Sequence, residues 1–198
     1  MPITINTAAP RRSPDAPAKK SAGKLLLRVF EGVVLLLAVA FGLMIRWGVY
    51  ETAIVTSGSM QPTVDIGDRL VIDHRKSLHG RWRRGDILLF DTPVTWEGEA
   101  ELLVKRLIGL PGETVEVRQG AVFVNGKPLK ETYIRATPDE QSYLRVLKPG
   151  EYYVLGDNRG TSNDSRDNGP ITERDIRGRA VWRLTPVNGF GGLASPAY

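Results

Sequence analysis

A single long apolar segment near the N-terminus limits what this chain can fold into. Residues 25–45 are apolar except for Arg28 and Glu31, and residues 32–45 carry no charge. A helix that spans a bilayer needs about 20 predominantly apolar residues, and two charges spaced i, i+3 near one end can pair or extend to the headgroups. Trp47 and Tyr50 follow where an interfacial aromatic belt would lie. We therefore predict one transmembrane anchor helix over residues 25–46.

The same segment could instead be a cleaved signal peptide or a buried helix. A signal peptide has a shorter apolar core that ends in small residues, whereas this segment ends in Met44-Ile45-Arg46-Trp47. The proline-rich and basic residues 1–24 predict a disordered tail. Because basic flanks stay in the cytoplasm, we expect a single-pass protein of the cell (inner) membrane, with a cytoplasmic N-terminus and the rest of the chain on the outer or periplasmic side. That orientation argues against cytosolic nucleotides and DNA as partners.

The composition excludes several kinds of chemistry. The chain has 198 residues, no cysteine and a formal net charge of +5. Without cysteine there can be no thiolate catalysis, no disulfide and no cysteine-based zinc site. The modest positive charge would suit nucleic acid or an anionic membrane surface and selects neither.

After residue 50 the sequence indicates short β-strands. Apolar runs are bounded by turn residues, helical periodicity is weak, and 21 glycines and 13 prolines provide turns. Asn125-Gly126 between two such runs predicts a β-hairpin. We therefore predict a mainly β fold, with an antiparallel β-sheet or barrel-like domain over residues 50–187 and a flexible Gly-rich tail over residues 188–198.

One basic and aromatic stretch, residues 74–84, is compatible with two roles. It contains both histidines, His74 and His79, together with Trp82 and several arginines. Such a stretch can bind nucleic acid, or it can be a loop that faces solvent or lipid headgroups. The predicted orientation of the chain favours the loop.

Residues 56–63 predict a turn that presents a serine. Ser57 and Ser59 flank Gly58, which tolerates backbone angles closed to other residues, and Pro62 restricts the residue before it. Met60 could dock locally and hold the bend. We expect an exposed Ser59 with the Ser57 hydroxyl close by, and the alternative is an ordinary Ser/Gly turn without chemistry.

Two adjacent cations interrupt an apolar run that is otherwise typical of a buried strand. Lys105 and Arg106 lie within residues 102–110, so one of them must face apolar surroundings. Burial lowers the pKa of a lysine, whereas a guanidinium does not deprotonate, so only Lys105 could become a base. The alternative is that Lys105 extends to solvent at a strand edge and Arg106 pairs with an acid.

These residues narrow the choice of catalytic machinery. A Ser-His-Asp triad needs an oriented histidine, and both histidines lie in the basic stretch. The polar loop of residues 156–169 lacks the glutamate spacing of an EF-hand. A displayed serine and a lysine in an apolar strand instead match the Ser-Lys variant of nucleophilic catalysis.

Four stretches in order, behind the anchor segment, resemble one known family. They are S-G-S-M-Q-P-T (57–63), I-G-D-R-L-V-I (66–72), R-G-D-I-L-L-F (84–90) with V-K-R-L-I-G-L-P-G-E (104–113), and G-D-N-R-G-T-S-N-D-S-R (156–166). The chain resembles the bacterial type I signal peptidases, membrane-anchored serine proteases that remove signal peptides from exported proteins. The likeness covers nearly all of residues 25–185, with Val64 and Glu113 as minor departures. The span of residues 119–150 is short for the large accessory β-domain of some members, and the sequence shows one transmembrane segment where the family often has two.

The resemblance implies a role for each matching residue. Ser59 matches the nucleophile and Lys105 the general base of an acyl-enzyme mechanism, and Ser57 with the Ser59 backbone N–H matches the oxyanion hole. The Ser162 hydroxyl matches the group that orients the lysine. Family members prefer small residues at the first and third positions before the cut, and the resemblance implies no cofactor and no metal. The last matching pair is Asp164 and Arg166, an ion pair that supports the site.

The resemblance also implies the partners, and two rival functions remain. The partners would be the signal peptides of secreted preproteins, the lipid bilayer and the secretion machinery, with no nucleic acid. Ser59 follows Arg46 by 13 positions, which would keep a peptidase site near the membrane surface. The rivals are a self-cleaving Ser-Lys protein akin to SOS-response repressors, which the anchor contradicts, and a membrane-tethered β-domain that binds anionic partners through residues 74–84.

Overall fold

The structure, a computed structural model, describes residues 20–44, 50–75, 82–96, 101–134, 142–184 and 190–193. The chain divides into two compact units, Met1–Leu43 and Met44–Tyr198. Two helices are described, α1 (Lys20–Met44) and α2 (Ser165–Asn168), with one 3₁₀ turn at Gly58–Met60. The strands are β1 (Tyr50–Ile54), β2 (Arg69–Asp73), β3 (Ile87–Asp91), β4 (Leu102–Gly109), β5 (Thr114–Arg118), β6 (Ala121–Val124), β7 (Lys127–Pro128), β8 (Tyr143–Val146), β9 (Glu151–Leu155), β10 (Ile171–Thr172), β11 (Ile176–Leu184) and β12 (Gly191–Gly192).

The first unit contains the apolar helix α1. It has 25 residues, which corresponds to about 37 Å at 1.5 Å per residue. Its side chains from Gly23 to Leu43 are all exposed. Within the described part of the chain, this is the one helix that is long and apolar enough to cross a membrane. Residues 1–19 and 45–49, which include most of the predicted basic tail and the end of the predicted anchor, lie outside the described residues.

The second unit consists of two antiparallel sheets. The larger sheet has the order β1-β2-β11-β3-β4-β9-β10, with β12 beside β11, and the smaller has the order β7-β6-β5-β8. Every pairing is antiparallel, and Asn125-Gly126 joins β6 to β7 with positive φ at both residues, as the hairpin prediction requires. The prediction of a mainly antiparallel β fold with one N-terminal apolar helix is confirmed. Within the predicted tail, Gly191–Gly192 pair with β11, and most of residues 188–198 lie outside the described residues.

Core residues cover both faces of the larger sheet. On β3, Leu88 and Phe90 belong to one cluster of buried side chains, and Ile87 and Leu89 belong to another. A third cluster joins Ile108 of β4 to the valines of β5 and β6. β3 from Ile87 to Phe90 and the second half of β4 from Lys105 are buried, so these strands in the middle of the sheet hold side chains at fixed positions.

The described ends of the basic stretch are integrated into the fold. Trp82 is 6% exposed, belongs to a core cluster and donates a hydrogen bond from Nε1 to Glu173. Arg84 forms a two-pronged ion pair with Glu113. These side chains are therefore engaged in structural contacts, and residues 76–81, with His79, lie outside the described residues.

Candidate active site

The serine turn is fixed by a buried methionine and by a neighbouring loop. Met60, in the 3₁₀ turn, is 1% exposed and packs in a core cluster with Val64 and Leu70. Asn158 donates from its backbone N–H to the Ser59 carbonyl at 3.0 Å and from Nδ2 to the Gly58 carbonyl at 3.1 Å. The turn therefore has little freedom to move relative to the sheet.

Ser59 is not displayed in the way that its local sequence suggested. It is only 7% exposed, so the prediction of an exposed serine is wrong. Turn residues indicate that the chain reverses there, but the segment that covers the turn comes from Asn158, about 100 positions away. Ser59 nevertheless lines a cavity between the turn and β4.

The Lys105 amine meets the Ser59 hydroxyl at hydrogen-bond distance. Nζ lies 2.7 Å from Oγ, and Lys105 is 2% exposed. The lysine sits on β4, which lies between β3 and β9 in the middle of the larger sheet, so the alternative of a lysine at a strand edge is wrong. The strand brings together two residues that the sequence separates by 46 positions.

The surroundings of Lys105 favour its neutral form. Desolvation by burial is the main cause that lowers its pKa from 10.5 to about 8, and the positive charge of Arg166 acts in the same direction. The carboxylates of Asp164 and Glu101 raise the pKa and partly oppose these effects. About half of the amine is therefore neutral at pH 8 and can accept a proton from a hydroxyl.

The Ser57 hydroxyl lies on the same side of the turn. Its Oγ is 3.2 Å from Ser59 Oγ. If Ser59 attacked a carbonyl carbon, a donor at this distance from its Oγ would be within reach of the charge that develops on the carbonyl oxygen. The predicted proximity of the two hydroxyls is therefore present.

Arg106, next to Lys105 in the sequence, is also 2% exposed but keeps its charge through partners. Its Nε and Nη2 donate to the Asp157 carboxylate at 2.8 and 2.7 Å, and Nη1 donates to the Gly85 carbonyl. Asp157 also accepts a 2.5 Å hydrogen bond from Thr63 Oγ1. Both cations of the strand are thus buried, one paired with a carboxylate and the other facing a hydroxyl.

The polar loop after β9 contains a buried ion pair between two of its own residues. Arg166 Nε donates to Asp164 Oδ1 at 2.9 Å, with Asp164 fully buried. The Asp164 carboxylate also accepts from the Gly156 backbone N–H, and Arg166 Nη2 donates to the Arg159 carbonyl. The loop is therefore held by contacts within itself and against the end of β9.

Ser162 lies next to the nucleophile segment. It is 8% exposed, and its Oγ has no hydrogen-bond partner within the described parts of the chain. A Cβ on Gly156 would overlap Ser162 and lie 2.6 Å from the Ser59 carbonyl oxygen. Ser162 therefore lies close to the Ser59 backbone. The prediction that Ser162 orients the Lys105 amine stays a prediction.

The sequence did not predict the contacts between the polar loop of residues 156–169 and residues 131–133. Glu131 accepts a 2.5 Å hydrogen bond from Arg159 Nη2, and both side chains are nearly buried. Tyr133 donates to the same carboxylate, and its ring lies 4.0 Å from the Arg106 guanidinium carbon. No local spacing links residues 131–133 to residues 156–159, so only the packing of the smaller sheet on the larger one reveals this connection.

A cavity of about 420 Å³ opens beside the serine and the lysine. It runs between the chain that follows β1 and the first half of β4. No group of three or more histidine, aspartate or glutamate side chains is placed to hold a metal ion in the part of the chain that the structure describes. The cavity is lined by Ile54, Val55, Thr56, Ser57, Ser59, Met60, Glu101, Leu102, Leu103, Val104, Lys105, Thr161 and Asn163.

Similar proteins form one group. Residues 27–185 match the family model described as "Signal peptidase, peptidase S26". Signal peptidase I of Leptolyngbya laminosa is 38% identical over 201 residues, which cover 99% of this chain and 98% of that protein. Signal peptidase I T of Bacillus subtilis is 35% identical, with 79% of this chain and 85% of that protein covered. The crystal structure of a signal peptidase I from Enterococcus faecalis V583 is 33% identical, covers 50% of this chain and 95% of that one, and has a TM-score of 0.42.

Proposed function

The chain belongs to the signal peptidase family S26, and we propose that it cleaves N-terminal signal peptides from exported preproteins with Ser59 as the nucleophile and Lys105 as the general base. The observation that carries the proposal is the 2.7 Å contact between Ser59 Oγ and the buried Lys105 Nζ. It joins a nucleophile to a base whose pKa, lowered to about 8, lies near physiological pH.

The reaction proceeds in two halves. In the first, neutral Lys105 takes the Ser59 proton while Oγ attacks the scissile carbonyl carbon. The C–N bond then breaks, the new amino terminus leaves with the proton from the lysine ammonium, and the signal peptide stays bound to Ser59 as an ester. In the second half, Lys105 takes a proton from water, the hydroxide attacks the ester, and the proton returns to Ser59 as the signal peptide leaves.

Three other groups assist these steps. The Ser57 hydroxyl and the Ser59 backbone N–H donate to the oxyanion, and one such donor contributes about 2.7–4 kcal/mol to the stabilisation of the transition state. Ser162, whose Oγ has no hydrogen-bond partner among the described residues, is available to orient the amine. The Asp164–Arg166 ion pair holds the loop that carries Ser162.

We propose a single-pass anchorage in the cell (inner) membrane for this enzyme. The apolar helix α1 supports attachment to a membrane. The basic residues before it support a cytoplasmic N-terminus, with the catalytic unit on the outer or periplasmic side. There the substrates would be preproteins delivered by the secretion machinery, with small residues at the first and third positions before the cut.

Incubation of the detergent-solubilised full chain with a preprotein tests the catalytic roles. Ser59→Ala and Lys105→Ala should each lower the rate of cleavage by about 10⁴-fold or more, while Ser142→Ala and Lys127→Ala, in exposed positions, should cleave at the wild-type rate. Intact-mass analysis of a rapidly quenched reaction should find the signal peptide attached to Ser59. Normal cleavage by Ser59→Ala would exclude the proposed nucleophile.

The same experiment separates the rival functions. A self-cleaving protein would shorten its own chain and leave the preprotein intact. A binding domain without catalysis would retain the preprotein in both the wild-type and Ser59→Ala forms. Processing of the preprotein with an unchanged mass of the enzyme is the result that the peptidase requires.

A further inference from the structure

One end of the cavity carries a charge that the proposed catalytic steps do not use. Of the described residues that line the cavity, two are ionisable, Lys105 beside Ser59 and Glu101 directly before β4. In the reactive form of the enzyme Lys105 is neutral, and the Glu101 carboxylate is then the one charge among the described residues that line the cavity, which we take as the substrate groove. The remaining lining is apolar or uncharged and polar, so no other charged group of the lining opposes it.

Glu101 is held in place by its backbone. Its carbonyl accepts from the Thr92 N–H at 2.9 Å, and its own N–H donates to Thr92 Oγ1 at 2.8 Å. The side chain is exposed, and no ion pair with a described residue engages its carboxylate. Because the Glu101 backbone is fixed and its carboxylate is exposed, Glu101 places a negative charge beside the groove.

The distance to the catalytic pair follows from the strand. Glu101 immediately precedes β4 and lies four residues before Lys105, about 13 Å at 3.3 Å per residue. A substrate bound in the groove as an extended strand has the same rise. When the scissile bond of this substrate lies at Ser59, the substrate residue beside Glu101 is three to five positions from that bond.

We propose that Glu101 is a specificity-determining residue that favours a lysine or arginine, and disfavours an acidic residue, at one substrate position three to five residues from the scissile bond. This inference rests on the proposed peptidase function and names a property of the same groove. The carboxylate attracts a cationic side chain and repels an anionic one without contacting the reacting atoms.

The charge of Glu101 already acts on Lys105. Its carboxylate is among the charges that raise the pKa of Lys105. A charge that acts on the lysine along the β4 side of the cavity also acts on a peptide that lies in the cavity beside both residues. The effect should be modest because the carboxylate is exposed, and an exposed charge pair typically changes an equilibrium by about two- to fivefold.

A charge scan of the substrate tests the proposal. Preprotein peptides carry lysine, glutamine or glutamate at each position three to five residues from the cut, on either side, and kcat/KM is measured with the full chain in detergent. The wild type should prefer lysine over glutamate by about two- to fivefold at one position. Glu101→Gln should lose the preference and Glu101→Lys should reverse it, with each preference taken as the ratio of kcat/KM for the lysine and glutamate peptides measured with the same enzyme form.

The matched control is Glu116→Gln, which removes a carboxylate from β5 of the smaller sheet and outside the cavity. It should keep the wild-type preference. In the wild type the preference should also shrink at 0.5 M salt, where charges are screened within about 4 Å.

Two results would overturn the inference while the peptidase function stands. One is a wild type that cleaves the peptides without a charge preference at any of these positions. The other is a preference that persists in Glu101→Gln. If the wild type cleaves none of the peptides, the proposed function fails, and the inference fails with it.

Discussion

Replacing Lys105 by methionine should stabilise the fold while it abolishes cleavage. Lys105 is 2% exposed, and burial lowers its pKa from 10.5 to about 8. One pKa unit corresponds to about 1.4 kcal/mol, so at pH 7 the buried ammonium destabilises the folded state by about 3 kcal/mol. Methionine has a similar length and no charge, so the variant does not carry this penalty.

The lost hydrogen bond opposes part of the gain. Nζ lies 2.7 Å from Ser59 Oγ, and a hydrogen bond contributes about 1 kcal/mol net. We therefore expect Lys105→Met to raise the free energy of unfolding at pH 7 by about 2 kcal/mol.

The gain should disappear at high pH. The folded pKa of Lys105 is lower than the unfolded one, so the penalty is fully present below about pH 8 and is lost as the pH rises through the unfolded value near 10.5. At pH 10 the remaining penalty is about 1 kcal/mol, which the lost hydrogen bond offsets. The variant and the wild type should then be equally stable.

Urea unfolding of the full chain in detergent measures this difference at pH 7 and pH 10. Tryptophan fluorescence, to which the buried Trp82 and Trp96 contribute, reports the transition. Lys127→Met on β7, where the lysine is exposed, is the matched control and should change the stability by less than about 0.5 kcal/mol at either pH. A Lys105→Met form that is less stable than the wild type at pH 7, or a difference that does not change with pH, would refute the reasoning.

Three further changes probe the groups around the catalytic pair. The wild-type kcat/KM should rise about tenfold from pH 7 to a plateau above pH 9, as Lys105 loses its proton through a pKa of about 8; a flat profile would contradict the base role. Glu131→Gln leaves the buried Arg159 without its carboxylate and should lower the free energy of unfolding by about 3–5 kcal/mol in urea, so a loss below 1 kcal/mol would speak against a buried pair. Gly156→Ala forces a Cβ to within 2.6 Å of the nucleophile's carbonyl oxygen and should lower kcat by about 100-fold, whereas Gly191→Ala, with open space around it, should leave kcat unchanged.

Local patterns in the sequence are sufficient to predict the parts of the fold that depend on neighbouring residues. The apolar run before residue 45 predicts a helix by its length alone, and the hairpin at Asn125-Gly126 follows from the residues that its two positive φ angles favour. Ser59 and Lys105 could be singled out locally, as a turn serine and a lysine in an apolar strand, and the resemblance to the type I signal peptidases implied their roles. The structure then adds the 2.7 Å contact between them.

Long-range packing accounts for what could not be predicted. β11 pairs with both β2 and β3, although it follows them by about 90 residues or more, and no local pattern indicates this order. The burial of Ser59 depends on Asn158 in the same way. The Glu131–Arg159 pair joins a segment next to the smaller sheet to the catalytic loop, and it exists only because the two sheets pack together.

The contrast between Lys105 and Arg106 shows how one buried strand can serve both structure and chemistry. Arg106 cannot lose its proton, so the fold provides Asp157 as a partner, and the guanidinium stays charged. Asp164 is the carboxylate whose charge raises the pKa of Lys105 most, but its oxygens are occupied by Arg166 and by the Gly156 N–H. The positive charge of Arg166 also opposes the effect of Asp164 on the lysine. We therefore expect an unpaired Asp164 to stabilise the ammonium form of Lys105 further and to weaken the base that we propose for Ser59.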